Sequence, residues 1–174
     1  QTVLPGVEAD NNDNALYAVG RTAHVNLNVL ASLGPSFVSN EANLTGEVAW
    51  NRLLAVTRNR AALDPNATDD GLGLKLVYTP TYRQFFPGID ISVPLGISYF
   101  PMGKSAVISG FGPDRGGDMN IGVSATYLDQ VTVGLTYTHY YGPEDTSLNA
   151  ASQFTYKQSL KDRDYLAFSV KTTF

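Results

Sequence analysis

The sequence predicts an all-β protein, an antiparallel transmembrane β-barrel, on three observations. Apolar and polar residues alternate with period two in segment after segment. No stretch carries a competing helical stripe, and the links between segments are short and long by turns. Composition agrees. Only 16% of residues are charged although 43% are hydrophobic, where a soluble domain carries about a quarter charged. A chain poor in charge yet rich in Tyr, Thr, Asn and Gly fits strands with one face to lipid and one to water. No apolar run reaches the length of a transmembrane helix.

The first alternation sets Val25, Leu27, Val29, Ala31 and Leu33 against His24, Asn26, Asn28, Leu30 and Ser32. The second sets Leu44, Gly46, Val48 and Trp50 against Thr45, Glu47, Ala49 and Asn51. Leu72, Leu74, Leu76 and Tyr78 then oppose Gly73, Lys75, Val77 and Thr79. A fourth run places Ile89, Ile91, Val93, Leu95, Ile97 and Tyr99 opposite Asp90, Ser92, Pro94, Gly96 and Ser98. The fifth and sixth follow over 119–127 and 131–138, and the last over 165–174. That makes about seven strands of about 9–13 residues, long enough to cross a bilayer at a tilt. Pro94 has no N–H for the ladder and predicts a bulge or a local edge.

The links "RQFFPGID" and "LDQ" are tight, as periplasmic turns are, and "GPSFVSN" is intermediate and assigned to the same side. "TRNRAALDPNATDDG", "MGKSAVISGFGPDRGGD" and "GPEDTSLNAASQFTYKQSLKD" are long and polar, as extracellular loops are. With Phe174 at the periplasmic rim, every long loop falls outside and every short turn inside. Aromatic residues gather at the strand ends, as an interfacial girdle requires. Tyr99, Phe100, Tyr137, Tyr140 and Tyr141 fall at the outer ends; Tyr82, Phe85, Phe86, Tyr127 and Phe174 fall at the inner ends.

The length of 174 residues fits one domain. Residues 1–20 lack alternation until Ala15 and read as an extracellular loop leading into the first strand. Seven strands is an odd count, whereas bacterial single-chain barrels are even, so the chain is expected to be the C-terminal part of a larger barrel. A terminal strand inside lipid must also be paired, because an open edge is not tolerated there.

The faces opposite the apolar ones offer Asn26, Asn28, Glu47, Asn51, Lys75, Arg83, Asp90, Asn120 and Lys171 among Thr, Ser and Gly. Charges of both signs on a small-residue background suit a hydrated lumen, where they set the field that selects permeants. The competing reading pairs them with one another, above all Arg83 with Asp90 across the tight "FFPG" turn.

Chemistry beyond passage finds little support. The net charge of −4, with no dense Lys/Arg cluster, argues against a nucleic-acid partner. The absence of cysteine removes thiol catalysis and thiolate metal sites. Neither His24 nor His139 lies in a hydrolase or paired-histidine metal motif, so no enzyme, cofactor or metal is expected. "DNNDN" and "DPNATDDG" are rich in oxygen ligands but miss the EF-hand register and read as solvated loops.

The ending, with Leu166, Phe168, Val170 and Phe174 on one face, resembles the C-terminal insertion signal of Gram-negative outer-membrane barrels; Thr172 departs mildly from it. "GEVAWNRLLAVTRN", "AALDPN", "PGIDISVPLGISY", "RGGDMNIG", "LTYTHYYG" and "QSLKDRDYLAFSVKTTF" are similar to a large outer-membrane family catalogued as a domain of unknown function, thirteen-oh-two. That resemblance runs from about Gly20 to Phe174. It implies an outer-membrane location among lipid and lipopolysaccharide, and insertion by the barrel-assembly machinery. It also implies a periplasmic LolB-like partner, an exporter of the RND superfamily and movement of apolar or lipid-like molecules. The function expected is therefore passive passage of small or lipid-like molecules. The alternatives are a filled, structural barrel whose outer loops bind a partner, and a soluble β-barrel binder with its apolar face inward.

Overall fold

A computed structural model describes residues 17–173. The alternating segments form one antiparallel sheet, and no α-helix occurs among the described residues. Its strands are β1 (Val19–Leu33), β2 (Glu41–Arg58), β3 (Asp70–Phe86), β4 (Ile89–Ser92), β5 (Leu95–Met102), β6 (Gly116–Tyr127), β7 (Val131–Tyr141) and β8 (Tyr165–Thr172). The order is a meander in which sequence neighbours pair, except that β4 and β5 lie end to end and each pairs with both β3 and β6. Eight strands thus stand where about seven were expected, because the fourth run is divided at Val93 and Pro94. That division is neither a bulge nor an edge. Thr81 faces Ser92 and Tyr78 faces Leu95, so both strands advance by equal steps across the gap.

The register explains the two faces. Antiparallel partners share a face, and alternate residues along a strand share it too. One row runs Val29, Gly46, Leu76, Ile97, Met119. The row beside it runs Asn28, Glu47, Lys75, Ser98, Asp118. Most of the apolar face is left uncovered by the described residues: Leu27 is 64% exposed, Ile121 53% and Phe168 69%. Ala42 is the one buried hydrophobic residue among those described, whereas Asn51, Ser98, Ser105, Thr138 and Gln158 are buried polar residues. A soluble β-binder would pack its apolar face inward. Here the loops fold against the polar face instead.

Connections sort by length. Residues 34–40, 87–88 and 128–130 link strands at one end of the sheet; residues 59–69, 103–115 and 142–164 link them at the other. The Pro87–Gly88 turn works because Gly88 adopts φ +74°, which a side chain would oppose. Leu128 and Asp129 also take left-handed φ of 48° and 58°, and the Leu128 N–H donates to the Gly88 carbonyl, tying two short turns together. β1, β2 and β3 reach 15, 18 and 17 residues, beyond the expected length. β1 and β2 extend at the long-loop end, with register shifts at Val19/Gly20 and Arg21/Thr22, and β3 extends at the short-turn end, with a shift between Tyr82 and Phe86. The simple alternation fades at these places.

Candidate functional site

The polar face and the loops at its long-loop end form the candidate site. All nine sequence-predicted residues lie on this face, but the structure gives them different surroundings. Asn28 donates to Asn26, and Asn26 donates to Glu47 at 2.8 Å, forming an exposed amide–carboxylate chain across β1 and β2. Lys75 stands in register between Glu47 and Ser98. Lys171 stands opposite Thr132. Among the described residues, neither lysine has an ion-pair partner. Asn120 lies over Gly96, where a Cβ would come within 2.6 Å of its amide.

Arg83 and Asp90 are brought together, as the tight turn predicts. Arg83 donates through Nη1 to Asp90 and through Nη2 to Glu41, each at 2.6 Å, and its backbone N–H donates to Asn40. Asp90 also accepts the Gln84 N–H at 2.7 Å. This cluster fastens the start of β2 to the end of β3 and to β4 at the short-turn end.

Asn51 marks the opposite end. It is 1% exposed, and its Oδ1 accepts the Ser105 hydroxyl at 2.5 Å. The same Ser105 oxygen accepts the N–H groups of Val107 and Ile108, which turns segment 103–115 back over the sheet. The segment can lie close because Gly71 and Gly73 supply no side chains. A Cβ on Gly71 would meet Asn51 and Ser105 at 2.9 Å, and one on Gly73 would meet Phe100 at 2.9 Å and Phe111 at 3.2 Å. Phe100 and Phe111 pack edge to face, 5.6 Å between centroids. Residues 103–115 therefore fold across the polar face, not away from it.

The other long loops lock onto that segment. Thr68 and Ser105 form a parallel bridge, and Asp114 donates its N–H to the Tyr156 carbonyl at 2.6 Å. Asn66 donates to the Phe154 carbonyl, and the Phe154 N–H donates to Asp64 at 2.9 Å. Gln158, buried, donates to the Gly117 carbonyl. Burial, with a smaller effect of the Asp64 charge, raises the Tyr156 phenol to about 12. The end of the third loop is held by Asp164, which accepts the Tyr137 hydroxyl at 2.6 Å and lies 2.7 Å from His139 Nδ1. The Tyr137 and His139 hydrogen bonds hold the Asp164 carboxyl down at about 2, below its usual 3.8.

Several of these partners have no signature in the sequence. Ser105 and Phe111 lie in a segment without periodicity, and Asp118, whose carboxylate accepts the Ser98 hydroxyl, sits just before the alternation of its strand becomes regular. The aromatic girdle also needs a correction. Tyr99, Tyr137 and Tyr141 share the apolar face, with Tyr99 and Tyr141 stacked at 6.5 Å. Phe100 and Tyr140 instead share the polar face, because period two forces neighbours apart. Leu166, Phe168 and Val170 line the apolar face of β8 and are all exposed; Phe174 lies outside the described residues, as does "DNNDN".

No curated protein and no solved structure matches the chain. A family model described as a protein of unknown function, DUF1302, matches residues 2–174, which extends the similarity beyond the Gly20 boundary expected from motifs. The chain, with its alternating antiparallel sheet, belongs to the DUF1302 family.

Proposed function

We propose that this chain is the C-terminal part of a Gram-negative outer-membrane β-barrel that gives passive passage to small or lipid-like molecules. One observation carries the reading: residues 103–115 fold across a polar face whose apolar reverse side is largely uncovered among the described residues. In a barrel this geometry narrows a hydrated lumen near its outer mouth. The apolar face then meets lipid, and Asn26, Asn28, Glu47, Lys75, Asn120 and Lys171 line the path that permeants follow, while the buried Asn51 holds the inner segment in place. Arg83 and Asp90 are better explained as a structural staple, since each is already held by its neighbours.

Closure places a demand on the rest of the barrel. Strands β1 and β8 both run from the long-loop end to the short-turn end, so pairing them directly would make a parallel seam. An antiparallel wall needs an odd number of further strands between them. Lipid and lipopolysaccharide would surround that wall, and the β8 ending would be read by the assembly machinery. A LolB-like periplasmic partner and an RND-type exporter fit the family resemblance as suppliers or acceptors of apolar cargo.

The interlocked outer loops favour a second reading, a structural barrel whose cap binds a surface partner. Planar-bilayer conductance of the natural full-length protein separates the two. Stepwise conductance that grows when Ser105→Ala loosens the inner segment is expected from passage. Absent conductance with retained binding by the cap would favour attachment.

A further inference from the structure

Proline is ordinarily kept out of interior strands, because it cannot return a ladder hydrogen bond. This sheet places two prolines at one level of its interior, Pro80 within β3 and Pro94 between β4 and β5. Val93 donates its N–H to the Pro80 carbonyl at 3.0 Å, and Gly122 donates to the Pro94 carbonyl at 2.9 Å. In a hydrogen-bonded antiparallel pair each residue normally donates to the other. Pro80 cannot donate back to Val93, and Pro94 cannot donate back to Gly122. Both ladders flanking the junction of β4 and β5 are thus thinned at the same level. Residues 93 and 94 are the two that fall between the strands.

The surroundings of this seam are asymmetric. On the polar face the Pro94 ring lies against Gly122, which brings no side chain of its own; a Cβ there would stand 3.1 Å from Pro94 Cγ and 2.8 Å from Thr136 Oγ1. On the apolar face, directly beside the junction, a groove of about 450 Å³ is lined by Leu76, Tyr78, Leu95, Ile97, Ile121 and Tyr137. The thinned ladder therefore separates a polar surface from an apolar one whose large side chains the described residues leave exposed.

We infer that the Pro80–Pro94 seam is a lateral portal, through which apolar molecules leave the lumen for the membrane; the inference rests on the passage reading above. Polar solutes have a hydrated route along the lumen and do not need the seam. Apolar ones reach hydrocarbon by a short sideways step where the fewest backbone bonds must yield. Outward movement past β3 requires only that β3 and the β4–β5 junction part locally.

A disulfide staple tests this, since the described chain contains no cysteine of its own. Thr81 and Ser92 face each other beside the seam, their hydroxyl oxygens 3.1 Å apart. The natural full-length protein carrying Thr81→Cys and Ser92→Cys is reconstituted into vesicles. Transfer of a fluorescent long-chain fatty acid and flux of a neutral disaccharide are then followed. Oxidation should reduce fatty-acid transfer to the rate of protein-free vesicles, reductant should restore it, and disaccharide flux should not change. The matched staple Thr126→Cys with Thr132→Cys, 3.1 Å apart between β6 and β7, should alter neither. Unchanged fatty-acid transfer in the oxidised protein overturns the portal. Unstapled protein that passes neither solute overturns the passage reading and the portal's cargo with it. Hydrogen exchange reads the seam without transport: the Val93 and Gly122 amides should exchange about tenfold faster than those of Ile121 and Leu135. Equal rates overturn the seam as a weak point.

Discussion

Ser105 does three things with one oxygen, and Asn51 is buried beneath it with an amide nitrogen that has no partner among the described residues. Such an arrangement is sensitive, because each buried polar group left unpaired costs about 1–3 kcal/mol. Ser105→Ala should therefore release segment 103–115 from the sheet. The expected outcome is higher conductance with unchanged assembly, read in planar bilayers and by heat-modifiable gel mobility. Gly71→Val should give the same phenotype by crowding, since its Cβ position is already taken by Asn51 and Ser105. Half of this pair was legible in the sequence. Asn51 falls on the polar side of a clean alternation, but Ser105 lies in a loop with no period to place it. Arg83 and Asp90 were legible together, because a tight turn fixes which residues meet.

At the scale of elements, β8 presents Phe168 to one side and Ser169 to the other. Against lipid, Phe168→Arg should destabilise the assembled barrel by about 2–4 kcal/mol, whereas Ser169→Arg should be tolerated on the hydrated side. Denaturant titration of the folded gel band measures both. The long loops carry a pH window of their own. Asp164, held at about 2 instead of 3.8, anchors the third loop fully above about pH 4 and releases it as pH falls through 2. Tyr156, raised from 10.0 to about 12, favours the packed loop fully below about pH 10 and loses that contribution as pH rises through 12. Pepsin should accordingly cut within 142–164 much faster at pH 2 than at pH 4, and Asp164→Asn should cut fast at both. Sequence periodicity located the strands but not the extra length of β1 and β2 at the long-loop end or of β3 at the short-turn end, where register shifts scramble the alternation. It marked Pro94 as an irregularity, yet only the pairing reveals Pro80 opposite Val93 and a register that continues unbroken.

The whole molecule follows from one inversion: the described residues fold their loops over polar side chains and leave most large apolar ones exposed. Strand order and the sorting of loops by length were both readable, since a meander of antiparallel strands pairs sequence neighbours. The locking of the long loops was not. Asn66 reaches Phe154 across 88 residues, and no local pattern encodes so distant a contact. Cysteine-accessibility scanning in intact membranes tests the inversion most directly, because the sequence offers no background thiol. Single cysteines at Asn28, Lys75 and Asn120 should react with a membrane-impermeant, water-soluble thiol reagent, while those at Val29, Leu76 and Ile121 should react only with a lipid-soluble one. Water-soluble labelling of Val29, Leu76 and Ile121, with protection of Asn28, Lys75 and Asn120, would contradict the account.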